Sequence, residues 1–511
     1  MRTRALLTSL VFVQVALAAC TGSSSTPAFH PTFKSTPCPK EVTDVVLTPA
    51  TCGFLTVLEN RSKPEGRTIK LFAVRIAPPD GHPAADPVLD ADDLGERPGW
   101  AGNAGMAQRV NREVILLDQR GLGLSEPNLA CPEVSSLTEE LIGSRLSDPA
   151  TRQDLQSAVS ACRTRLVSSG IDLSQYNLEE NAADIEDLRQ ALGIAHLNLT
   201  AHGTASRILL EVVRRFPQHI RAVVLDTPQF PQASDSIETI QGTQEALGHL
   251  FADCASQAAC HHRFPDLGNA MRQATARLDR TPARAMVTDS GAAVSAGHAI
   301  RTIVDGGAFL RAIRTMASFN DLGLAPKVPA TIYAALHGDV GTVATVLSND
   351  PGLCVGYLPK CEDEHPLVEG AYYSILCHDE SPPVGSSQLA QMAGGDPGYL
   401  EAYVNGPYLS VICPAWKVGR AAPQVGEPIT SDVPMLIYVA PYDAYSSARV
   451  TERAASTLSR AFIVPTPFVG HNAMATSECY IDIRNAWIED PASAPDASCV
   501  AKLPAVPFAA H

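Results

Sequence analysis

What most constrains the fold of this chain is the order in which short apolar runs alternate with helical patterns. EVILLDQRG (113–121) is a strand-length run leading into a glycine-rich loop. LNLTAHG (197–203), RAVVLD (221–226), PMLIYVAP (434–441) and RAFIVPTP (460–467) are further runs of the same length. Between them, residues 181–192 place Ile185, Leu188 and Leu192 on one helical face. A second helix is expected over residues 204–216, where Pro217 follows. Parallel strands need crossover helices, so the alternation predicts an α/β fold with a mostly parallel central sheet and helices on both faces. Upstream, GFLTVLEN and IKLFAVRIAP read as two more strands.

The rhythm breaks between residues 231 and 425, a helical and irregular stretch that carries six of the cysteines. An insertion of this size between strands predicts a mainly helical cap over the strand ends, where open α/β sheets bind ligands. The N-terminus reads differently again. Arg2 and Arg4 precede an apolar stretch over residues 5–16, as in a signal peptide. Leu17-Ala18-Ala19-Cys20 resembles the lipobox of bacterial lipoproteins, a family in which the cysteine is acylated. The expected organisation is a lipoprotein signal peptide (1–20), a flexible tether (21–37), a core domain in two parts (38–231 and 426–511) and the cap (232–425). Cys20 would then anchor the chain to the outer membrane or to the outer face of the plasma membrane.

The 13 cysteines leave an even set once Cys20 is set aside. Cys38 with Cys52, Cys254 with Cys260, Cys354 with Cys361, and Cys479 with Cys499 form local pairs. Cys131, Cys162, Cys377 and Cys413 remain, with 131–162 and 377–413 the preferred pairs, although spacing does not fix connectivity. Disulfides persist outside the cytosol, whereas a metal site would want grouped Cys and His. No metal or cofactor is expected: His202 with the Asp90–Asp93 cluster shows no recognisable ligand spacing. His261, His262, His378, Asp379 and Glu380 read as solvated cap residues. A formal net charge of -15 excludes nucleic acid as a partner.

Several segments together resemble the secreted tripeptidyl and prolyl aminopeptidase-like serine hydrolases: CGFLTVLENRSKPEGRTIKL (52–71), LLDQRGLGLSEP (116–127), ENAADIEDLRQALGIAHLNL (180–199), RRFPQHIRAVVLD (214–226) and SCV (498–500). The resemblance implies an α/β-hydrolase fold and acyl transfer by a Ser…Asp…His triad. Asp443 in APYDAYSS and His471 in FVGHNAM stand where that family's acid and base lie. A histidine oriented by a buried carboxylate acts as general base.

The nucleophile is missing. The family's elbow reads N-L-Y-G-G-S-Y-G-T-R, and its ungapped counterpart here is NLTAHGTASR (198–207), which puts Gly203 in the serine's place. Glycine adopts the elbow's strained backbone at little cost. Thr204 would offer the oxyanion N–H, Ser206 is expected to cap or pack, and His202 to support the structure or touch a ligand. The family's Gly-Gly-Pro-Gly oxyanion loop should fall near Asp86-Pro87-Val88-Leu89. Asp90, Asp92, Asp93 and Glu96 follow it and would oppose a developing oxyanion, with Gly95 or Gly99 the substitute donors.

Losing a serine nucleophile costs on the order of a million-fold in turnover. The sequence therefore points to a pseudoenzyme that binds a peptide, a small acyl ligand or a protein partner. A working hydrolase with an unrecognised nucleophile is the alternative, and a purely structural envelope protein a third class.

Overall fold

A computed structural model describes residues 29–508 except 92, 96–99, 138–139, 142, 146, 289–298, 320–322, 349–366, 380–390 and 392–410. Its spine is a nine-stranded sheet. The strands are β1 (Thr32–Thr36), β2 (Ala50–Leu58), β3 (Thr68–Ile76), β4 (Ala84–Ala91), β5 (Arg112–Leu117), β6 (Leu197–His202), β7 (Ile220–Asp226), β10 (Met435–Val439) and β11 (Ala461–Pro465). Their spatial order is β1-β2-β3-β5-β4-β6-β7-β10-β11. The first three strands pair antiparallel with one another and β3 pairs antiparallel with β5; from β5 across to β11 every pairing is parallel. The expected α/β architecture is the one found.

Burial explains the strand sequences. β10 is MLIYV and buried throughout, and every residue of β6 but His202 is buried. Strands covered on both faces are continuous apolar runs. The helix Ser206–Arg215 supplies Ile208, Leu209, Val212 and Val213 to the core beneath β6, and Leu178–Ala191 adds Ile185 and Leu188. Asn177 caps that second helix by accepting from Glu180 N at 2.9 Å.

Three expectations need correction. The tether does not run to residue 37, because Thr32–Thr36 is an edge strand in register with Cys52–Thr56 of β2. Gly53 makes this possible: a Cβ there would meet the Phe33 ring at 2.5 Å, so its absence gives that ring a seat. The Cys38–Cys52 bridge holds the strand's exit. Second, the segment 86–89 is part of strand β4 rather than an oxyanion loop, and the loop begins only after Ala91. Third, the cap contains a two-stranded antiparallel ribbon, β8 (Ala283–Thr288) and β9 (Ala299–Val304).

The inserted region also packs as two parts. Helices Asp235–Ser256, Leu267–Arg280, Gly306–Ser318 and Val328–His337 share a core built on Leu250, Leu278, Phe309, Ile313 and Ile332. The helix Glu369–Asp379 instead joins Trp416, Tyr176, Leu155 and Val159 in a separate cluster beside the sheet.

Five expected disulfides are formed: 38–52, 131–162, 254–260, 377–413 and 479–499. Cys354, Cys361 and the whole of the signal peptide with Cys20 lie outside the described residues. No helix among the described residues is long and apolar enough to cross a membrane.

Candidate active site

The strand order reverses between β4 and β6, since β4 is followed in the chain by its outer neighbour β5 and only later by β6. Ligands in open α/β sheets bind at the carboxyl ends of strands at such a switch point. Here β4 and β6 end side by side, with Ala91 opposite Ala201. The elbow leaves β6 at His202 and enters a single 3₁₀ turn, Gly203–Ala205, before the helix begins at Ser206.

Gly203 has φ +52°, the left-handed backbone an elbow imposes. The space its side chain would fill is taken. A Cβ at Gly203 would lie 2.3 Å from Asp93 Oδ1. That oxygen accepts from Thr204 N at 2.6 Å and from the Thr204 hydroxyl at 2.5 Å. The hydroxyl in turn accepts from Leu94 N at 2.8 Å, fixing the loop after β4 to the elbow. The oxyanion donor expected at Thr204 is thus present and already holds a carboxylate of the chain itself. Gly95, the other oxyanion candidate, turns elsewhere: it abuts Leu367 and Tyr372, and its carbonyl accepts from Val368 N at 2.9 Å.

Asp443 and His471 come together as expected. The Asp443 oxygens stand 3.0 and 3.1 Å from His471 Nδ1, both residues are buried, and Tyr445 N donates to Asp443 at 2.8 Å. The cap closes on this pair. Ser318 O accepts from His471 N at 2.7 Å, and a Cβ on Gly470 would strike that same carbonyl, so only glycine allows the approach. Tyr445 and Phe319 flank the His471 ring.

Asp93 Oδ2 faces two imidazoles, lying 3.6 Å from His471 Nε2 and 3.4 Å from His202 Nδ1. Burial alone would lower the His471 pKa. Asp443 on one side and Asp93 on the other outweigh it and push the value up to about 9. Burial would raise Asp93, yet the charges of His202 and His471 and the Thr204 hydrogen bond hold it well below the usual carboxylate range. Both carboxylates thus favour the protonated ring, the form that is not a general base.

The remaining candidates sort cleanly. Ser206 is fully buried and packs as expected: its hydroxyl donates to Gly203 O or Gln229 O, 2.6 and 2.7 Å away, and accepts from Gln229 N. His202 supports the site, with Nε2 donating to His471 O at 2.5 Å. His261 and His262 are exposed. Asp379 is not a solvated residue: it is buried, accepts from Leu178 N at 2.8 Å, and pairs with His378 at 2.7 Å. The last residue of Glu369–Asp379 thereby satisfies a first-turn N–H of Leu178–Ala191, beside the Asn177 cap. Glu380, Asp92 and Gly99 lie outside the described residues.

Sequence reasoning missed the grouping of Asp93, His202 and His471, whose ligand atoms all lie within 4.8 Å of one another. A cluster whose two histidines are 269 residues apart leaves no ligand spacing in the sequence.

Comparisons with known proteins bear on the fold and the family. Residues 97–297 match the model of the alpha/beta hydrolase fold, and residues 402–499 match that of TAP-like proteins. The serine protease Hip1 of Mycobacterium tuberculosis is 26% identical over 226 residues, 41% of this chain and 42% of that one. A putative hydrolase, YuaR, of Escherichia coli is 26% identical over 158 residues, 30% of each chain. The match thus spans about two-fifths or less of these curated relatives. Among solved structures, an esterase of Thermogutta terrifontis has a TM-score of 0.37 at 13% identity, covering 86% of this chain and 99% of that one. A proline iminopeptidase-related protein of Thermus thermophilus has 0.32 at 14%, covering 86% and 96%. Neither structural likeness bears on activity. With the two models matched over residues 97–297 and 402–499, the chain belongs to the TAP-like α/β-hydrolase family.

Proposed function

We propose that this chain is an exported, lipid-anchored member of the family that no longer carries out serine-type acyl transfer and uses its capped cleft to bind a peptide, a small acyl ligand or a partner. The observation that carries the reading is Asp93, whose carboxylate fills the space a side chain at Gly203 would need and takes the Thr204 N–H. A tetrahedral intermediate would place negative charge at that donor, where a carboxylate repels it. The two carboxylates beside His471, which favour its protonated form, support the same reading. The anchor rests on Leu17-Ala18-Ala19-Cys20, and the disulfides favour export.

The test is kinetic. Purified protein should leave aminoacyl and tripeptidyl chromogenic amides uncleaved above background, while a peptide or acyl ligand binds saturably. Turnover that survives removal of contaminating hydrolases would overturn the reading. The alternative, hydrolysis by a nucleophile other than serine, has one observation in its favour: the Asp93 carboxylate stands at the elbow beside His471. A carboxylate nucleophile would expel the amine, which takes a proton, and form a mixed anhydride. Attack of water on the anhydride's aspartyl carbonyl during turnover in ¹⁸O-water would leave ¹⁸O in Asp93, and attack on the acyl carbonyl would put it in the product.

A further inference from the structure

We infer that Asp93, His202 and His471 form a binding site for one divalent transition-metal cation, with Zn²⁺ the best fit. The three ligand atoms are Asp93 Oδ2, His202 Nδ1 and His471 Nε2. The carboxylate oxygen lies 3.4 and 3.6 Å from the two ring nitrogens. Hydrogen bonds of the N–H···O type have heavy-atom distances of about 2.7–3.2 Å. Ligands on a tetrahedral zinc with bonds of about 2.0–2.1 Å stand about 3.4 Å apart. The two carboxylate–imidazole separations are close to that spacing, and all three atoms lie within 4.8 Å of one another.

The surroundings of each ligand point the same way. A metal-bound histidine donates its other ring N–H to a carboxylate or a backbone carbonyl, which fixes the ring and its tautomer. His471 gives Nδ1 to Asp443, and His202 gives Nε2 to the carbonyl of His471. Both rings therefore turn the remaining nitrogen toward Asp93. The carboxylate is oriented likewise, because Thr204 N and the Thr204 hydroxyl both engage Oδ1 and leave Oδ2 toward the rings. His471 O also accepts from the Thr227 hydroxyl at 2.7 Å, which braces the loop that carries the histidine. Two imidazoles and one carboxylate are a zinc donor set with a fourth position for water or a ligand. A cavity of about 450 Å³ reaches the group at His202, with Asp90, Met106, Asn472 and Arg484 also in its wall. The inference does not depend on whether the chain hydrolyses anything.

The test uses the full exported chain purified without a histidine tag, stripped with chelator and dialysed against Zn²⁺. Elemental analysis should find one zinc per chain. Asp443→Asn should weaken binding by about 10–100-fold through the His471 ring it orients. His202→Ala should abolish stoichiometric uptake, and replacing both exposed histidines, His261→Ala with His262→Ala, should leave uptake unchanged. X-ray absorption of the zinc-loaded wild type, which needs no variant to fold, should show two imidazoles and oxygen but no sulfur. Absence of stoichiometric uptake, uptake unaffected by His202→Ala, or a zinc shell without imidazole would each overturn the site. Zinc-dependent turnover of the chromogenic amides would contradict the proposed function while leaving the metal site standing.

Discussion

Asp93 and Gly203 compete for one volume, and that competition sets what substitutions at the elbow can do. A serine at position 203 must accept φ near +52° and displace a carboxylate 2.3 Å from its Cβ. The backbone alone costs about 1–3 kcal/mol. Gly203→Ser should therefore lower the urea midpoint, and adding Asp93→Ala should recover part of the loss; two purely additive losses would contradict the steric argument. The flanks of the elbow were legible because strand and helix surround it without gaps. The acidic run after β4 was legible as a charge opposed to an oxyanion. Which carboxylate enters the elbow was not, because that depends on the path of a loop and on Thr204, more than a hundred residues away.

At the scale of elements, the segment LLDQRGLGLSEP works as a lock between layers. Arg120 is fully buried, and its guanidinium reaches both oxygens of Asp184 at 2.7 Å, Glu59 O at 2.9 Å and Gln175 O at 2.6 Å. It ties the loop after β5 to the helix Leu178–Ala191 and the end of β2. Without Arg120 the two carbonyls lose their donor while Asp184 keeps Arg61 at 2.6 Å, so the cost should fall below the about 3–5 kcal/mol of a buried charge left with no partner. Arg120→Ala should show that loss in urea unfolding, whereas Lys40→Ala, at an exposed pair, should leave the midpoint unchanged. The sheet was legible because buried parallel strands are continuous apolar runs. β1 was not: TFKST is short, half-exposed and polar, and its place is set by Gly53 and Cys38–Cys52. The β8–β9 ribbon was missed for a similar reason, with Met286 exposed and no continuous apolar run to mark it.

The whole molecule is held by bridges that close loops of 6 to 36 residues, placed in the core, the cap and the C-terminal segment. Native bridges of this kind contribute about 2–4 kcal/mol each. Reduction under native conditions should lower the unfolding temperature, and non-reduced peptide mapping should return the five pairs; a mixture of alternative pairings in exported protein would contradict the fold's connectivity. At the same scale, mass spectrometry of the mature N-terminus should find Cys20 acylated, and Cys20→Ala should release the chain from membranes. An unmodified N-terminus elsewhere would remove the anchor from the account.

The central claim is that the elbow holds Asp93 instead of a nucleophile, and intact-mass measurement after exposure to a fluorophosphonate probe tests it most directly. The account predicts no adduct on the wild type, little on Gly203→Ser, and one adduct at the introduced serine when Asp93→Ala is added. An adduct on the wild-type chain, or labelling of the single variant as fast as the double, would contradict it.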